Sequence, residues 1–254
     1  MPVVLREAWT TLVPDMNDRH GPLPPLMIAL TVVTGLVDAV SYLELGRVFV
    51  ANMTGNVVFA GFAFAGAPGF SLAASFVALG AFVAGAVAGG RIVHRSHSHR
   101  GRMLLHALCA ETACVLAALI VTLFSGSPYT GGVRFTLVAL LALGLGLQNA
   151  VARALAVPDL TTTVLTLTIT GIASDGRLAG GPGSKAGRRV LSAAAMMAGA
   201  LVGAVAVLHG HPILPLLLAV AILALVCLAA YVLAGADAPW ARPVVSKRVS
   251  SARE

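Results

Sequence analysis

Two long stretches of the chain contain no charged side chain. No Asp, Glu, Lys or Arg occurs from Val48 to Gly90, and none occurs from Val190 to Ala236. Because a helix that crosses the hydrocarbon core of a bilayer needs about 20 apolar residues, each stretch can hold two such helices. Charged types make up 11 % of the 254 residues and apolar types 58 %, whereas soluble domains have about 25 % charged residues. The sequence therefore predicts an all-α, polytopic transmembrane helical bundle.

Eight apolar segments lie between two polar ends of the chain. The N-terminal polar end is an arm at residues 1–22, and the C-terminal polar end is a tail at residues 236–254. A transmembrane domain is expected between them, over residues 23–235. The eight segments cover approximately residues 25–45, 50–66, 71–93, 103–124, 134–157, 160–174, 190–208 and 213–235.

Basic residues are concentrated in the arm, in the tail and in two loops, at residues 94–102 and 175–189. Short clusters of this kind between apolar runs mark cytoplasmic loops, so the net charge of +7 does not point to nucleic acid. If all eight segments span, the loop 94–102 lies outside, against this rule. If the segments 50–66 and 160–174 each enter and leave on one face, six spans remain and every cluster is cytoplasmic. The charge pattern favours six spans plus two short interrupted segments, with eight spans as the alternative.

Three sequence matches in the same order predict an internal repeat, with halves at about residues 25–124 and 134–235. With six spans, the first span of one half runs outward and its partner in the other half runs inward, which makes the repeat an inverted one. Interrupted segments at corresponding positions of inverted halves are typical of transport sites. The matched runs are Gly35–Ala39 with Gly146–Ala150, Asn52–Asn56 with Val164–Thr168, and Val83–Ala88 with Val202–Ala206.

Charged side chains inside the apolar segments are candidates for function because they are costly to insert into a membrane. Glu44 and Arg47 lie near the end of the first span and are interpreted as an interfacial pair. At about 1.5 Å per residue, Asp38 lies about 18 Å from the cytoplasmic end of its span, Glu111 about 12 Å and Arg153 about 5 Å. Their depths predict that Glu111 is buried against Arg153 or shares a pocket with it. A structural ion-pair network is the alternative to a polar cavity for a solute or proton.

The run Asn-Met-Thr-Gly-Asn at residues 52–56 is the most unusual polar feature of the apolar segments. Its amides need partners at membrane depth, because lipid offers none. We expect Gly55 to permit a backbone bend, and a broken helix exposes partial charges at its ends. The alternative is that these amides join helices by hydrogen bonds worth about 0.6 kcal/mol each. The predicted solute or ion pathway comprises Asp38, Asn52, Thr54, Gly55, Asn56, Glu111, Asn149, Arg153 and Thr166.

Signatures of catalysis and of metal binding are absent from the sequence. It contains no nucleophile elbow, no phosphate-binding Gly-Lys-Ser/Thr loop and no HExxH motif. The histidines of the loop 94–102 are interleaved with arginines and have no carboxylate or thiol nearby. We therefore expect no enzymatic activity, no cofactor, no metal site and no nucleic-acid partner. The expected partners are the lipid bilayer and a small solute or proton, and a homo-oligomer stays open.

The run from Gly35 to Gly61 resembles the signature of the YoaK-like family, bacterial membrane proteins that contain a domain of unknown function. The run Gly146–Arg153 is similar to the second signature of that family. The sixth segment departs from the family pattern, with Thr166-Leu167 where a Thr-Gly pair is expected. The resemblance extends over approximately residues 25–235. It implies a multi-pass protein of the bacterial cytoplasmic membrane, without an established substrate.

The sequence favours a small-solute transporter or channel-like protein whose site forms where the segments 50–66 and 160–174 meet. A non-transporting membrane scaffold or sensor is the main alternative, and a membrane enzyme is the third. A transporter should have a polar cavity lined by both segments. In a scaffold, neighbouring helices should satisfy the polar groups and leave no cavity.

The tail and the loop 94–102 are expected on the same, cytoplasmic side of the membrane, because both carry an excess of Arg and Lys. In single-cysteine variants at Ser98 and Ser250, a membrane-impermeant thiol reagent should label both positions only after lysis. Labelling of one position in intact cells and of the other only in lysed cells would contradict the six-span arrangement.

Overall fold

Six helices are long and apolar enough to cross a membrane, and they cover Leu23–Glu44, Leu72–Arg95, Arg100–Ser125, Gly131–Leu155, Ala186–Leu208 and Leu214–Leu233. The computed structural model describes residues 3–96, 98–160, 165–176, 179–181, 186–235 and 238–242, and no strand occurs in these ranges. The helices are α1 (Val3–Leu12), α2 (Leu23–Glu44), α3 (Met53–Phe64), α4 (Leu72–Arg95), α5 (Arg100–Ser125), α6 (Gly131–Leu155), α7 (Leu165–Ser174), α8 (Ala186–Leu208) and α9 (Leu214–Leu233).

The two remaining helices of the membrane domain, α3 and α7, are too short to span. They contain 12 and 10 residues, and at 1.5 Å per residue they reach about 18 and 15 Å. The hydrocarbon core is about 30 Å thick. The predicted helical bundle with six spans and two short segments is thereby confirmed, and the chain is a multi-pass membrane protein.

The basic loop after α4 is shorter than the sequence indicates. Arg95 ends α4 and Arg100 begins α5, so only residues 96–99 separate the two helices. The imidazole Nδ1 of His99 accepts a hydrogen bond from the backbone N–H of Arg102 (3.2 Å) and caps the new helix. Most basic residues of this cluster therefore belong to helix ends.

Arg100 joins four parts of the chain at one end of the bundle. Its buried guanidinium donates hydrogen bonds to the backbone carbonyls of Arg19 (2.9 Å), Trp240 (3.2 Å) and Leu155. The arm, the start of α5, the end of α6 and the C-terminal residues consequently share one face, as six spans require. Burial, and then the charge of Arg100, lower the pKa of the neighbouring His20. The tail beyond residue 242, with Ser250, lies outside the described residues.

The start of α8 is fastened at the same end. The guanidinium of Arg189 pairs with Asp159 after α6 and with Asp175 after α7, each at 2.8 Å. The hydrogen bond from Arg189 holds the pKa of the half-exposed Asp175 below its usual value. Two further basic residues of this loop, Arg177 and Lys185, lie outside the described residues.

The arm contains a helix that the sequence analysis missed. Residues Val3–Leu12 form α1, and the carboxylate of Glu7 accepts a hydrogen bond from the backbone N–H of Gly187 (2.9 Å) at the start of α8. The hydroxyl of Thr11 accepts a second bond from Arg188 (3.3 Å). Trp9 is 60 % exposed on the outer side of α1. An apolar outer side of this kind suits the membrane–water interface.

The opposite end of the bundle carries the loops that follow α2 and α5. The hydroxyl of Ser127 donates a hydrogen bond to the carboxylate of Glu44 (3.0 Å). Arg47 lies over the ring of Phe70, 5.8 Å from its centroid. Glu44 and Arg47 thus have separate partners in the described structure, and the predicted interfacial pair between them is not formed.

Glycines allow α4 to lie directly against α6, and α2 against α8. A β-carbon on Gly85 would overlap the carbonyl oxygen of Leu143, so the backbones of α4 and α6 touch at this point. A β-carbon on Gly199 would overlap the carbonyl oxygen of Val32 in the same way. Small residues at such crossings are the usual means of close helix packing in membranes.

Substituting Gly85 with alanine tests the contact between α4 and α6. The added methyl group must push α4 away from the carbonyl of Leu143, and overpacking of this kind costs about 1–3 kcal/mol. A β-carbon on Gly80, on the same helix, would have no atom within 4 Å, so Gly80→Ala should be neutral or slightly stabilising. Thermal unfolding in detergent measures both. Equal effects of the two variants would contradict a special role for Gly85.

Candidate functional site

A cavity of about 760 Å³, called the central cavity below, is lined by residues of both short helices, α3 and α7. Its volume falls in the range of about 300–1,000 Å³ that is typical of small-molecule sites. It brings together five of the nine residues predicted for the pathway. The lining residues are Asp38, Ala51, Asn52, Met53, Thr54, Gly55, Val58, Phe59, Phe82, Thr166 and Met196.

Asp38 connects α2 to the loop that leads into α3. Its Oδ1 atom accepts hydrogen bonds from the backbone N–H groups of Val50 (3.1 Å) and Ala51 (3.0 Å), and the residue is only 5 % exposed. Within the described parts of the chain, no donor reaches Oδ2, and both ion pairs belong to Arg189. Oδ1 therefore holds the loop in place, whereas Oδ2 can accept a hydrogen bond from a ligand in the cavity.

Asn56 fixes the shape of the same loop. Its side-chain oxygen accepts a hydrogen bond from the N–H of Phe49 (2.9 Å), and its amide nitrogen donates one to the carbonyl of Phe49 (2.6 Å). The residue is completely buried and does not line the central cavity. Asn56 therefore satisfies the backbone N–H and C=O groups of Phe49 in the preceding loop. It neither joins two helices nor contacts a solute directly.

The chain is broken before the Asn-Met-Thr-Gly-Asn run, not within it. Asn52 caps α3, and its side-chain oxygen accepts a hydrogen bond from the N–H of Gly55 (3.3 Å). The bend predicted at Gly55 lies earlier, at Gly46 and Arg47, which have φ angles of +93° and +54°. Gly55 has a different role, because a β-carbon there would come within 2.8 Å of the ring of Phe49.

Thr166 lines the central cavity, whereas Asn149 and Arg153 do not. These two residues line a separate cavity of about 750 Å³ between α4 and α6, together with His94. The side-chain amide of Asn149 donates a hydrogen bond to the carbonyl of Leu145 (2.9 Å). Phe82 lines both cavities. Of the threonines that precede Leu165, those at positions 161–163 lie outside the described residues.

Glu111 and Arg153 do not share a pocket, contrary to the sequence-based expectation. Glu111 is buried and lines a space of about 10 Å³, roughly the size of one water, together with Gln148. It packs beside Gly144 of α6, whereas Arg153 lies nine residues further along that helix. At 3.6 residues per turn this separation places Arg153 on the opposite side of α6. The pair was predicted only from the depths of Glu111 and Arg153 in the membrane. Because the two side chains lie on opposite sides of α6, they do not share a pocket.

Aromatic side chains support the loop before α3, and the sequence analysis did not single them out. The ring of Phe49 stacks on Tyr42 (5.0 Å between centroids) and on Phe59 (5.6 Å). Phe59 also forms part of the cavity wall. The signal was present in the sequence, because Phe49 and Phe59 flank the polar run on both sides.

A known protein family matches most of the chain. The sequence profile of the family described as "Protein of unknown function (DUF1275)" matches residues 26–229. The chain belongs to the DUF1275 family. The matched range runs from α2 into α9, so this DUF1275 domain contains the whole central cavity and excludes α1.

A relative of the chain is the UPF0700 transmembrane protein YoaK of Bacillus subtilis (strain 168). The two are 32 % identical over 157 residues, which cover 60 % of this chain and 68 % of that protein. The YoaK-like assignment made from the run between Gly35 and Gly61 is thereby confirmed. No solved structure matches this DUF1275 protein.

The same substitution should have very different effects on stability at Asn52 and at Asn56. Asn56→Asp removes the donor to the carbonyl of Phe49 and places two buried oxygens against each other, which should destabilise the fold by about 1–3 kcal/mol. Asn52→Asp retains an acceptor at an exposed helix cap, where carboxylates are favourable, and should be nearly neutral. Chemical denaturation in detergent compares the two variants. A stable Asn56→Asp variant would disprove the clamp on the loop.

Proposed function

We propose that the chain is a small-solute transporter or channel-like protein of the bacterial cytoplasmic membrane, with its site in the central cavity. The observation that carries this proposal is that both short helices line the cavity, through Thr54 of α3 and Thr166 of α7, beside Asp38 of α2. Irregular backbone at membrane depth is tolerated where it lines a cavity. Short, interrupted segments at corresponding positions of two inverted halves are characteristic of transport sites.

The glycine contacts support an inverted repeat of the two halves. Gly85 of α4 meets the carbonyl of Leu143, three residues before Gly146 of α6, and Gly199 of α8 meets that of Val32, three residues before Gly35 of α2. The third helix of each half therefore packs in the same way on the first helix of the other half.

The contacts in the reverse direction follow the same rule. Gly146 meets the carbonyl of Phe82, three residues before Gly85, and Gly35 meets that of Met196, three residues before Gly199. In this register Gly85 corresponds to Gly199, whereas the sequence match paired it with Gly203. Glycines recur every four residues in these helices, so the sequence alone permits both registers.

The proposed symmetry places the central cavity between the halves. Phe82 and Met196, which are equivalent in the register of the glycine contacts, both line it. Three spans in each half would reverse the direction of the second half in the membrane. A site shared by two inverted halves is the arrangement in which rocking of one half against the other exposes a solute to each side in turn.

A membrane scaffold or sensor is the second candidate function, and the hydrogen bonds of the loop favour it. The Oδ1 atom of Asp38 and the side-chain amide of Asn56 are both satisfied by the backbone before α3, as expected for structural groups. The volume of the central cavity and the position of Oδ2 favour transport instead. We propose no enzymatic activity, because the sequence contains none of the catalytic motifs considered above.

Filling the central cavity should abolish flux if the cavity is the transport site. Purified protein in proteoliposomes is assayed for uptake of a panel of small cations, anions, zwitterions and neutral solutes, relative to protein-free vesicles. Thr166→Trp places an indole in the cavity and should reduce uptake to the level of empty vesicles. Ile169→Trp is the matched control, because Ile169 is 59 % exposed on the same helix and does not line the cavity.

Two results of this assay would overturn the proposal. The first is the absence of uptake for every solute of the panel by a correctly folded protein. The second is uptake that survives Thr166→Trp and equals that of the Ile169→Trp control.

A further inference from the structure

Asp38 carries the only charge on the described lining of the central cavity. The other polar side chains of the lining, those of Asn52, Thr54 and Thr166, are neutral. No Lys, Arg or His belongs to this described lining. The cavity therefore has an electrostatic preference for positive ligands.

The second carboxylate oxygen of Asp38, Oδ2, is available to accept a hydrogen bond. The Oδ1 atom is occupied by the N–H groups of Val50 and Ala51, whereas Oδ2 has no donor among the described residues and belongs to a lining residue. A carboxylate oxygen in a largely apolar setting is costly unless it is hydrogen-bonded or paired with a charge. A ligand that donates a charged N–H group would supply this partner.

The remaining wall is apolar and aromatic. Phe59 and Phe82 contribute rings, and Met53 and Met196 contribute thioether side chains. Ring faces attract cations, and flexible thioethers adapt to apolar groups of different shape. A ligand with one charged end and a hydrocarbon body is complementary to these surfaces.

The size of the cavity favours an organic ligand over a bare metal ion. Hard cations such as Ca²⁺ take about six to eight oxygen ligands at short distance, whereas the oxygen-bearing side chains of the described wall are only those of Asp38, Asn52, Thr54 and Thr166. A small organic molecule would fill the cavity volume of about 760 Å³. The N-terminus of α3, at Met53, would by itself attract anions, but the carboxylate of Asp38 lies beside it and opposes them.

We propose that the central cavity binds a protonated amine, with the ammonium group on Oδ2 of Asp38 and the hydrocarbon part against Phe59 and Phe82. This inference rests on the proposed function only for the consequence that the amine is carried across the membrane. Binding of the amine is a property of the cavity itself and is measured without transport.

The probe is n-butylammonium, compared with butyrate, n-butanol and sodium ions at matched ionic strength. Calorimetric titration of the full-length protein in detergent should show saturable binding of butylammonium and none of the other three. Asp38→Asn should weaken butylammonium binding by about 10- to 100-fold, because a charge-assisted hydrogen bond is lost. Asp15→Asn, at an exposed position of the arm, should leave binding unchanged.

A second variant covers the case in which Asp38→Asn does not fold. Thr166→Trp leaves Asp38 and its loop intact, and it should abolish butylammonium binding, whereas Ile169→Trp should retain it. Equal or tighter binding of butyrate, butanol or sodium would overturn the inference. Unchanged butylammonium affinity in a folded Asp38→Asn variant or in Thr166→Trp would overturn it as well.

The two proposals fail in different ways. Saturable butylammonium binding that depends on Asp38, without flux of any solute, would support the amine site and disprove transport. Flux of neutral or anionic solutes that Thr166→Trp abolishes, without butylammonium binding, would support transport and disprove the amine site.

Discussion

The hydrogen bonds from Val50 and Ala51 to the carboxylate of Asp38 determine how the chain continues after its first span. They fix the loop to the side of α2, at 3.0–3.1 Å, so the chain turns back into the bundle instead of entering water. The clamp from Asn56 to Phe49 closes the same loop from the other side. The returning loop leads directly into α3, which ends after 12 residues. The first residues of that short helix line the central cavity.

The glycine crossings explain why the two sequence halves are not two packing units. The helices that touch most closely are α4 with α6 and α2 with α8, and each pair joins one half to the other. The ranges 25–124 and 134–235, which the sequence predicts as repeat halves, are therefore not separate packing units. The arm and the C-terminal residues complete the assembly at one end, through the contacts of Arg100 with Arg19 and Trp240.

The spans were predictable because charged side chains are costly to bury in lipid and are therefore rare in spanning segments. Charge-free stretches and basic clusters located six long helices and two short ones with small errors at their ends. The grouping of Asp38, Asn52, Thr54, Gly55 and Thr166 around one cavity follows from the same reasoning, since polar groups at membrane depth converge on protein-lined space. Membership of the family was also predictable, from the polar run and its flanking residues.

Features that depend on direction and contact were not predictable. The depth of Glu111 and Arg153 is a matter of residue count, but their positions on opposite sides of α6 depend on which face of that helix packs on α5. The bend predicted at Gly55 lies at Gly46 and Arg47 instead. A glycine can be needed for close packing, as at Gly55, as well as for a positive φ angle, as at Gly46. The helix α1 was missed because its stabilising contacts, such as that of Glu7 with Gly187, are remote in sequence.

The reciprocal glycine crossings have a consequence for the origin of the fold, given the proposed repeat. The four contacts of Gly35, Gly85, Gly146 and Gly199 each join a third helix to a first helix of the opposite half. Two copies of a single three-span polypeptide, inserted into the membrane in opposite orientations, would make the same contacts across an antiparallel dimer. Such an ancestor would need similar numbers of basic residues on its two faces. Fusion of the two genes would then have released each half to acquire its own charge bias, and would have allowed Asp38 to diverge from Asn149.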